Sequence, residues 1–240
     1  MICYVVVFLL ILVLYFLFIG YYDGTHFKYS KNNCIKNKIR LVKYKLLSND
    51  LINKLENIIN YYGDKLDPNI NLSNAKGTKL DYIGVKKYIP ELINFYLNEQ
   101  LLSVVENILQ KKIYFAPEND KYRLFVRLYS NENDFLNWHY DNNFTSHKRY
   151  TLVIPVLLDE CNTSEFEVKN RCNFEIERFK IKLGTCLIYN GSNVYHRITK
   201  QTKNCKRLVI IIPLYEKYNM NIIGKIKKVI RDITHKIITI

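Results

Sequence analysis

The stretch from residue 113 to 215 constrains this chain most. It carries nine short runs of β-branched and aromatic side chains, at 113–116, 121–129, 135–140, 150–158, 164–168, 173–181, 185–190, 194–199 and 206–215. Turn residues break one run from the next. No helical period lies between consecutive runs, and parallel strands need a crossover of a dozen residues or more. The segment is therefore expected to fold as antiparallel sheets, packed as a sandwich or closed as a jelly roll.

Helical patterning precedes the strands. After Leu51, the residues Ile52, Leu55, Ile58, Ile59 and Tyr62 form an apolar stripe, with Ser48, Asn49 and Asp50 as capping chemistry and Gly63 as a stop. Residues 64–85 read as irregular, with Pro68, Gly77 and Gly84. Pro90 opens a second stretch that buries Leu92, Ile93, Tyr96, Leu97, Leu101, Val104, Val105 and Ile108. Both stripes need a surface to cover. The expectation is an α+β chain, with a helical support region over 48–112 packed on a jelly-roll core over 113–215.

The two ends carry a different signal. Residues 1–22 have no charged side chain, and Val5–Ile19 is continuously apolar. A helix of this length crosses a hydrocarbon core of about 30 Å. With no basic n-region and no small-x-small cleavage site, the reading is an uncleaved transmembrane anchor rather than a signal peptide. A stalk over 23–47 follows, with seven basic residues and no acid between Lys28 and Lys45. By the positive-inside bias this places the folded domain on the cytosolic side, near anionic headgroups. The tail 216–240 alternates Ile222, Ile223, Ile226, Val229, Ile230, Ile233 and Ile237 with Lys225, Lys227, Lys228, Arg231 and Lys236. This basic amphipathic helix can lie on a membrane or pack on the sheet, and packing is the expectation.

The 36 basic and 22 acidic residues leave a net charge of +14, which favours anionic partners in general. Much of the excess sits in the stalk and tail, so nucleic acid is not the expected partner. Six scattered cysteines, with no CxxC, read as reduced thiols; Cys161 and Cys172 flank the run 164–168 and would pair only in a lumenal domain.

Chemistry concentrates in a few positions among five histidines. His139 and Asp141, spaced i and i+2 on a strand, face the same way. His196 opens another strand 55 residues beyond Asp141, and antiparallel strands can bring it beside the first two. Two imidazoles and one carboxylate on one face of a metal leave further positions open, as in the facial triad of non-haem Fe(II) oxygenases. Lys206 and Arg207 stand 10 and 11 residues after His196 and open the apolar run Leu208–Ile212. A cation at the mouth of such a strand calls for a carboxylate partner. His147 reads as a turn residue; His26 and His235 lie in the stalk and tail. Trp138 reads as packing, and Asn142–Asn143 as a turn.

The series Arg127-Leu128-Tyr129, His139-x-Asp141, Arg149-Tyr150-Thr151, Ser164-Glu165-Phe166, Gly184, His196 and Lys206 resembles the 2-oxoglutarate- and Fe(II)-dependent dioxygenases, in their prolyl 4-hydroxylase-like branch. The resemblance covers about residues 121–215 and implies a double-stranded β-helix. It implies that His139, Asp141 and His196 ligate Fe(II). It also implies that Lys206 or Arg207 clamps the far carboxylate of 2-oxoglutarate, with Tyr129 as a further donor. The pattern's glycine two residues before the clamp is Asn204 here, and Thr163-Ser164 replaces a Gly-Gly turn, so the choice between Lys206 and Arg207 stays open. The Tyr129–His139 loop is one residue longer than the pattern. The implied reaction takes O2, decarboxylates 2-oxoglutarate to succinate and hydroxylates a protein side chain or small molecule. The competing readings are an AlkB-like nucleic-acid demethylase and a non-catalytic, membrane-tethered jelly-roll binding module.

Overall fold

The computed structural model describes residues 39–43, 47–65 and 75–229, together with Leu10, Ile11 and Leu14. The expected anchor 1–22 and most of the stalk thus lie outside the described residues. Among the described residues no helix is long and apolar enough to cross a membrane. The end of the expected stalk is not a stalk: Arg40–Lys43 form strand β1, hydrogen-bonded to a sheet edge.

Helix α1 (Asn49–Tyr62) starts where Ser48 accepts the Leu51 N–H at 3.3 Å and ends at Gly63, whose N–H reaches the Ile59 carbonyl at 2.9 Å. These contacts occupy backbone groups that a helix end leaves orphaned. Its stripe buries Leu55 and Ile59 completely, worth about 1.5–3 kcal/mol for each side chain. The segment expected to be irregular instead supplies short strands β2 (Asp64–Lys65), β3 (Ala75–Lys76) and β4 (Thr78–Leu80), then helix α2 (Tyr82–Tyr88) capped by Asp81. The single helix expected after Pro90 is two, α3 (Glu91–Tyr96) and α4 (Glu99–Leu109). Asn98 divides them: its amide donates to the Phe95 carbonyl at 2.9 Å, and its side-chain oxygen accepts from Leu101 N–H at 2.9 Å. Asparagine offers the backbone an alternative to continued helix.

The strands β5 (Tyr114–Phe115), β6 (Phe125–Tyr129), β7 (Phe135–His139), β8 (Arg149–Leu158), β9 (Phe166–Lys169), β10 (Ile176–Phe179), β11 (Thr185–Tyr189), β12 (Tyr195–Ile198) and β13 (Arg207–Tyr215) follow. The larger sheet has the order β1-β11-β8-β13-β6-β4-β2, with β5 beside β13; the smaller has the order β10-β9-β12-β7-β3. From β6 to β8 and again from β10 to β13 each connection crosses between the sheets, and the pairings are antiparallel, as in a jelly roll.

Strand alternation divides the apolar residues between two cores. Leu152, Ile154, Ile188, Leu208 and Ile210 face outward to the helices, packing with Leu55, Val85, Leu92 and Leu101. Val153, Phe166, Val168, Leu187 and Val209 face inward between the sheets. The inner space is not wholly apolar, and its polar side chains make the site.

The expectation of reduced thiols is not met. Cys161 and Cys205 form a disulfide and Cys172 is also disulfide-bonded, while Cys186 is a buried free thiol. The tail also departs from the expected packing. Over 222–229, the described part of the helix, Ile222, Ile223 and Val229 are exposed.

Candidate metal centre

Strand register alone brings the two histidines together. β12 pairs antiparallel with β7 so that His196 lies directly opposite His139, with ring centroids 4.2 Å apart. Asp141 comes two residues after His139, and its Oδ1 sits 3.6 Å from Nε2 of His139 and 3.8 Å from Nε2 of His196. One ligand atom from each of the three lies within 4.8 Å of the others, close enough for a single ion.

The backbone orients both rings in the same way. Nδ1 of His139 bonds the Asn137 carbonyl at 2.7 Å, and Nδ1 of His196 bonds the Val194 carbonyl at 2.9 Å. A carbonyl only accepts, so each Nδ1 carries the proton and each Nε2 lone pair points at the centre. The Tyr189 hydroxyl donates to Nε2 of His196 at 3.2 Å.

Asp141 is held on three sides. Its N–H donates to the Gly191 carbonyl at 2.9 Å, its Oδ2 accepts from the Thr151 hydroxyl, and Arg149 adds a buried positive charge. Burial alone would raise its carboxyl, but the buried Arg149 guanidinium leads the interactions that hold it well below the usual carboxylate range. Burial, with His139 alongside, pushes His196 down to about 3, against the pull of Asp141. A neutral imidazole beside an ionised carboxylate is the protonation state a metal requires.

Gly191 makes that geometry possible. A Cβ at this position would collide with the Asp141 carboxylate and the Thr151 hydroxyl. Gly191→Ala should therefore push the carboxylate off its position and weaken metal binding about 10–100-fold, the usual cost of disturbing a ligand's support. Metal titration of the purified variant against wild type measures the effect; an unchanged affinity would show that Asp141 is not a ligand.

Deeper between the sheets lies the cation that the sequence left open. Arg207 and Tyr129 are cross-strand partners, both buried, with the guanidinium 5.6 Å from the ring centroid. Nη1 of Arg207 donates to the Ser164 hydroxyl at 3.1 Å, while Nε and Nη2 are buried with no protein partner. Lys206 points the other way, half-exposed, to Glu56 at 2.6 Å. Alternation along β13 sends the two neighbours to opposite faces, and Arg207 is the one that faces inward.

The other residues singled out in the sequence stand apart. Trp138 lies on the opposite face from the metal centre, stacked 5.3 Å from Tyr195 with Arg197 4.7 Å from its ring. Asn142 accepts from Arg149 at 2.6 Å, and the backbone carbonyl of His147 accepts from Asn143 at 2.7 Å in the following turn. Tyr189, Gly191 and the disulfide were not legible as site features. Asn190-Gly191 reads only as a turn, and nothing in spacing marks which carboxylate the turn meets.

No family model and no curated protein matches the chain. Solved structures do. With a 2OG-Fe(II) oxygenase-family protein from Burkholderia pseudomallei the TM-score is 0.56 at 9% identity, covering 82% of this chain and 97% of that one. With a prolyl hydroxylase from Trichoplax adhaerens, in complex with a hypoxia inducible factor peptide fragment, it is 0.51 at 14% identity, covering 75% and 84%. With EctD from S. alaskensis, bound to 2-oxoglutarate and 5-hydroxyectoine, it is 0.53 at 9% identity, covering 80% and 79%.

The molecule is thus a jelly roll with a two-histidine, one-carboxylate cluster between its sheets. More narrowly, its fold is that of the 2-oxoglutarate- and Fe(II)-dependent oxygenases, prolyl hydroxylases among them.

Proposed function

We propose that this chain is an Fe(II)- and 2-oxoglutarate-dependent dioxygenase that hydroxylates a protein side chain or a small molecule, held at a membrane by residues 1–22. The observation that carries the reading is the pairing of the metal cluster with Arg207, whose Nε and Nη2 lack partners while Nη1 is engaged. A buried guanidinium edge with two free donors is costly unless a carboxylate completes it.

His139, Asp141 and His196 would hold the ion from one side and leave its other positions free. Arg207 would fork the far carboxylate of the keto acid, with the Tyr129 ring packed beside it. When bound, iron and 2-oxoglutarate supply the oxidising chemistry, in which O2 is consumed, succinate and CO2 are released and one oxygen atom passes to substrate. Val153, Leu187 and Val209 line the same interior and keep water from it. The peptide in the Trichoplax complex and the 5-hydroxyectoine in the EctD complex support both substrate classes.

The disulfide bears on the compartment. Such bonds persist in oxidising surroundings, so it favours a domain on the oxidising side of the membrane over the cytosolic side that the basic flank suggests.

The test is anaerobic titration of the Fe(II)-loaded protein with 2-oxoglutarate, followed by admission of O2. A visible charge-transfer band and release of succinate are expected. Arg207→Gln should weaken 2-oxoglutarate about 100-fold, since it removes charge-assisted hydrogen bonds of about 1.5–3 kcal/mol each, while Lys206→Gln should leave it within about twofold. Absence of both band and succinate would reduce the chain to a metal-binding jelly roll.

A further inference from the structure

A third buried arginine, besides Arg149 and Arg207, faces the same interior, and nothing yet described uses it. Arg127 lies on β6 two residues before Tyr129, so it shares the inward face of that strand. Only 9% of it is exposed, and its guanidinium lies 5.9 Å from the Tyr129 ring, which Arg207 approaches at 5.6 Å. Its Nε and Nη1 have no hydrogen-bond partner. Its cross-strand neighbours are Lys79 on β4 and Val209 on β13, and neither offers negative charge.

Among the described residues no carboxylate lies within ion-pair distance of Arg127, although Oδ1 of buried Asp134 also lacks a hydrogen-bond partner. Asp141 answers Arg149 and Thr151. Glu167 bonds Arg178 at 2.9 Å and Arg197 at 2.6 Å, and Asp134 accepts from the Ser130 and Asn131 N–H groups at 2.8 and 2.9 Å. An arginine taken out of water with no counter-charge destabilises the fold that contains it.

The cosubstrate does not resolve this. A keto diacid has two carboxylates, one for the metal and one for Arg207, whose free Nε and Nη2 share one edge of the guanidinium and fit one carboxylate. Arg127 is surplus to that arrangement. We propose that Arg127 seats an anionic group of the substrate, a carboxylate, phosphate or sulfate, so that the hydroxylated compound or side chain belongs to an acidic molecule. The inference rests on the dioxygenase reading of the site and names the substrate class for it.

The probe is inorganic phosphate, titrated calorimetrically into the full chain loaded anaerobically with Fe(II) and saturating 2-oxoglutarate. Wild type should bind phosphate without releasing 2-oxoglutarate. Arg127→Met should weaken phosphate at least about tenfold while the 2-oxoglutarate Kd stays within about twofold, and Arg127→Lys should restore part of the phosphate affinity. Because the charge is unpaired, Arg127→Met should also raise the melting temperature of the metal-free protein by roughly 2–4 °C. A structural role predicts a fall instead.

Displacement of 2-oxoglutarate by phosphate, a lower melting temperature in Arg127→Met, or equal phosphate binding by both proteins would each overturn the assignment. Failure of wild type to bind 2-oxoglutarate at all would instead overturn the dioxygenase reading. The two failures are therefore distinct.

Discussion

Asp141→Asn is expected to abolish metal binding and to destabilise the metal-free fold by about 3–5 kcal/mol, the cost of stripping the partner from a buried charge. The second effect separates it from an ordinary ligand substitution. Arg149 is buried on β8, its Nη1 bonded to the Asn142 carbonyl and its Nε without a partner, and Asp141 supplies the leading attraction for its charge. Asparagine keeps the volume and can still meet Thr151, but leaves that guanidinium uncompensated. His139→Ala gives the contrast. Its side chain is partly exposed, and its one short hydrogen bond is to the Asn137 carbonyl, so it should lose the metal while changing metal-free stability by no more than about 1 kcal/mol. Metal stoichiometry and urea unfolding of the metal-free proteins measure the two effects. If Asp141→Asn left stability untouched, the charge pairing described for the centre would be wrong; if either variant kept full metal content, the ligand assignment would be.

The strands and the triad were legible because both depend on short-range rules. Alternation gives the inward face of His139 and Asp141, and the turn-bounded runs place β6 to β13 within a residue or two of where they are found, apart from the longer stretches expected around β6 and β10. The cross-strand match of His196 with His139 is set by register, which the sequence suggests only through its apolar pattern. Lys206 and Arg207 show the limit. Both are cations at a strand start, and only the phase of β13 against its neighbours decides which faces inward. β1 was read as stalk because four residues of mixed polarity carry no signal until an edge strand is there to pair with. Gly191 escaped because its importance lies in a close approach between segments 50 residues apart, Asp141 and the turn before β12. The Cys161–Cys205 pair escaped because spacing does not specify connectivity.

Removing that disulfide should have the other large effect. Cys161 and Cys205 close a loop with a sequence separation of 44 residues, worth about 4 kcal/mol in the chain-entropy account. The bond also ties the turn after β8 to the segment that delivers Arg207. Around it, Asp159 accepts the Lys206 N–H at 2.8 Å, and buried Gln201 donates to the Cys205 carbonyl at 2.8 Å while accepting from Asn162. Ser164, which steadies the Arg207 guanidinium, stands three residues beyond Cys161. The Cys161→Ser/Cys205→Ser double variant should therefore lose about 4 kcal/mol in denaturant unfolding and bind 2-oxoglutarate severalfold more weakly. Its metal affinity should hold, because His139, Asp141 and His196 are fixed by the β7–β12 register, Thr151 and Gly191. The double variant isolates this bond from the one at Cys172, which a reductant would also break. Weakened 2-oxoglutarate binding with intact metal binding would place the bond at the Arg207 end of the site. Equal loss of both would mean that the disulfide merely holds the fold, and loss of neither would mean that the hydrogen bonds around Gln201 suffice without it.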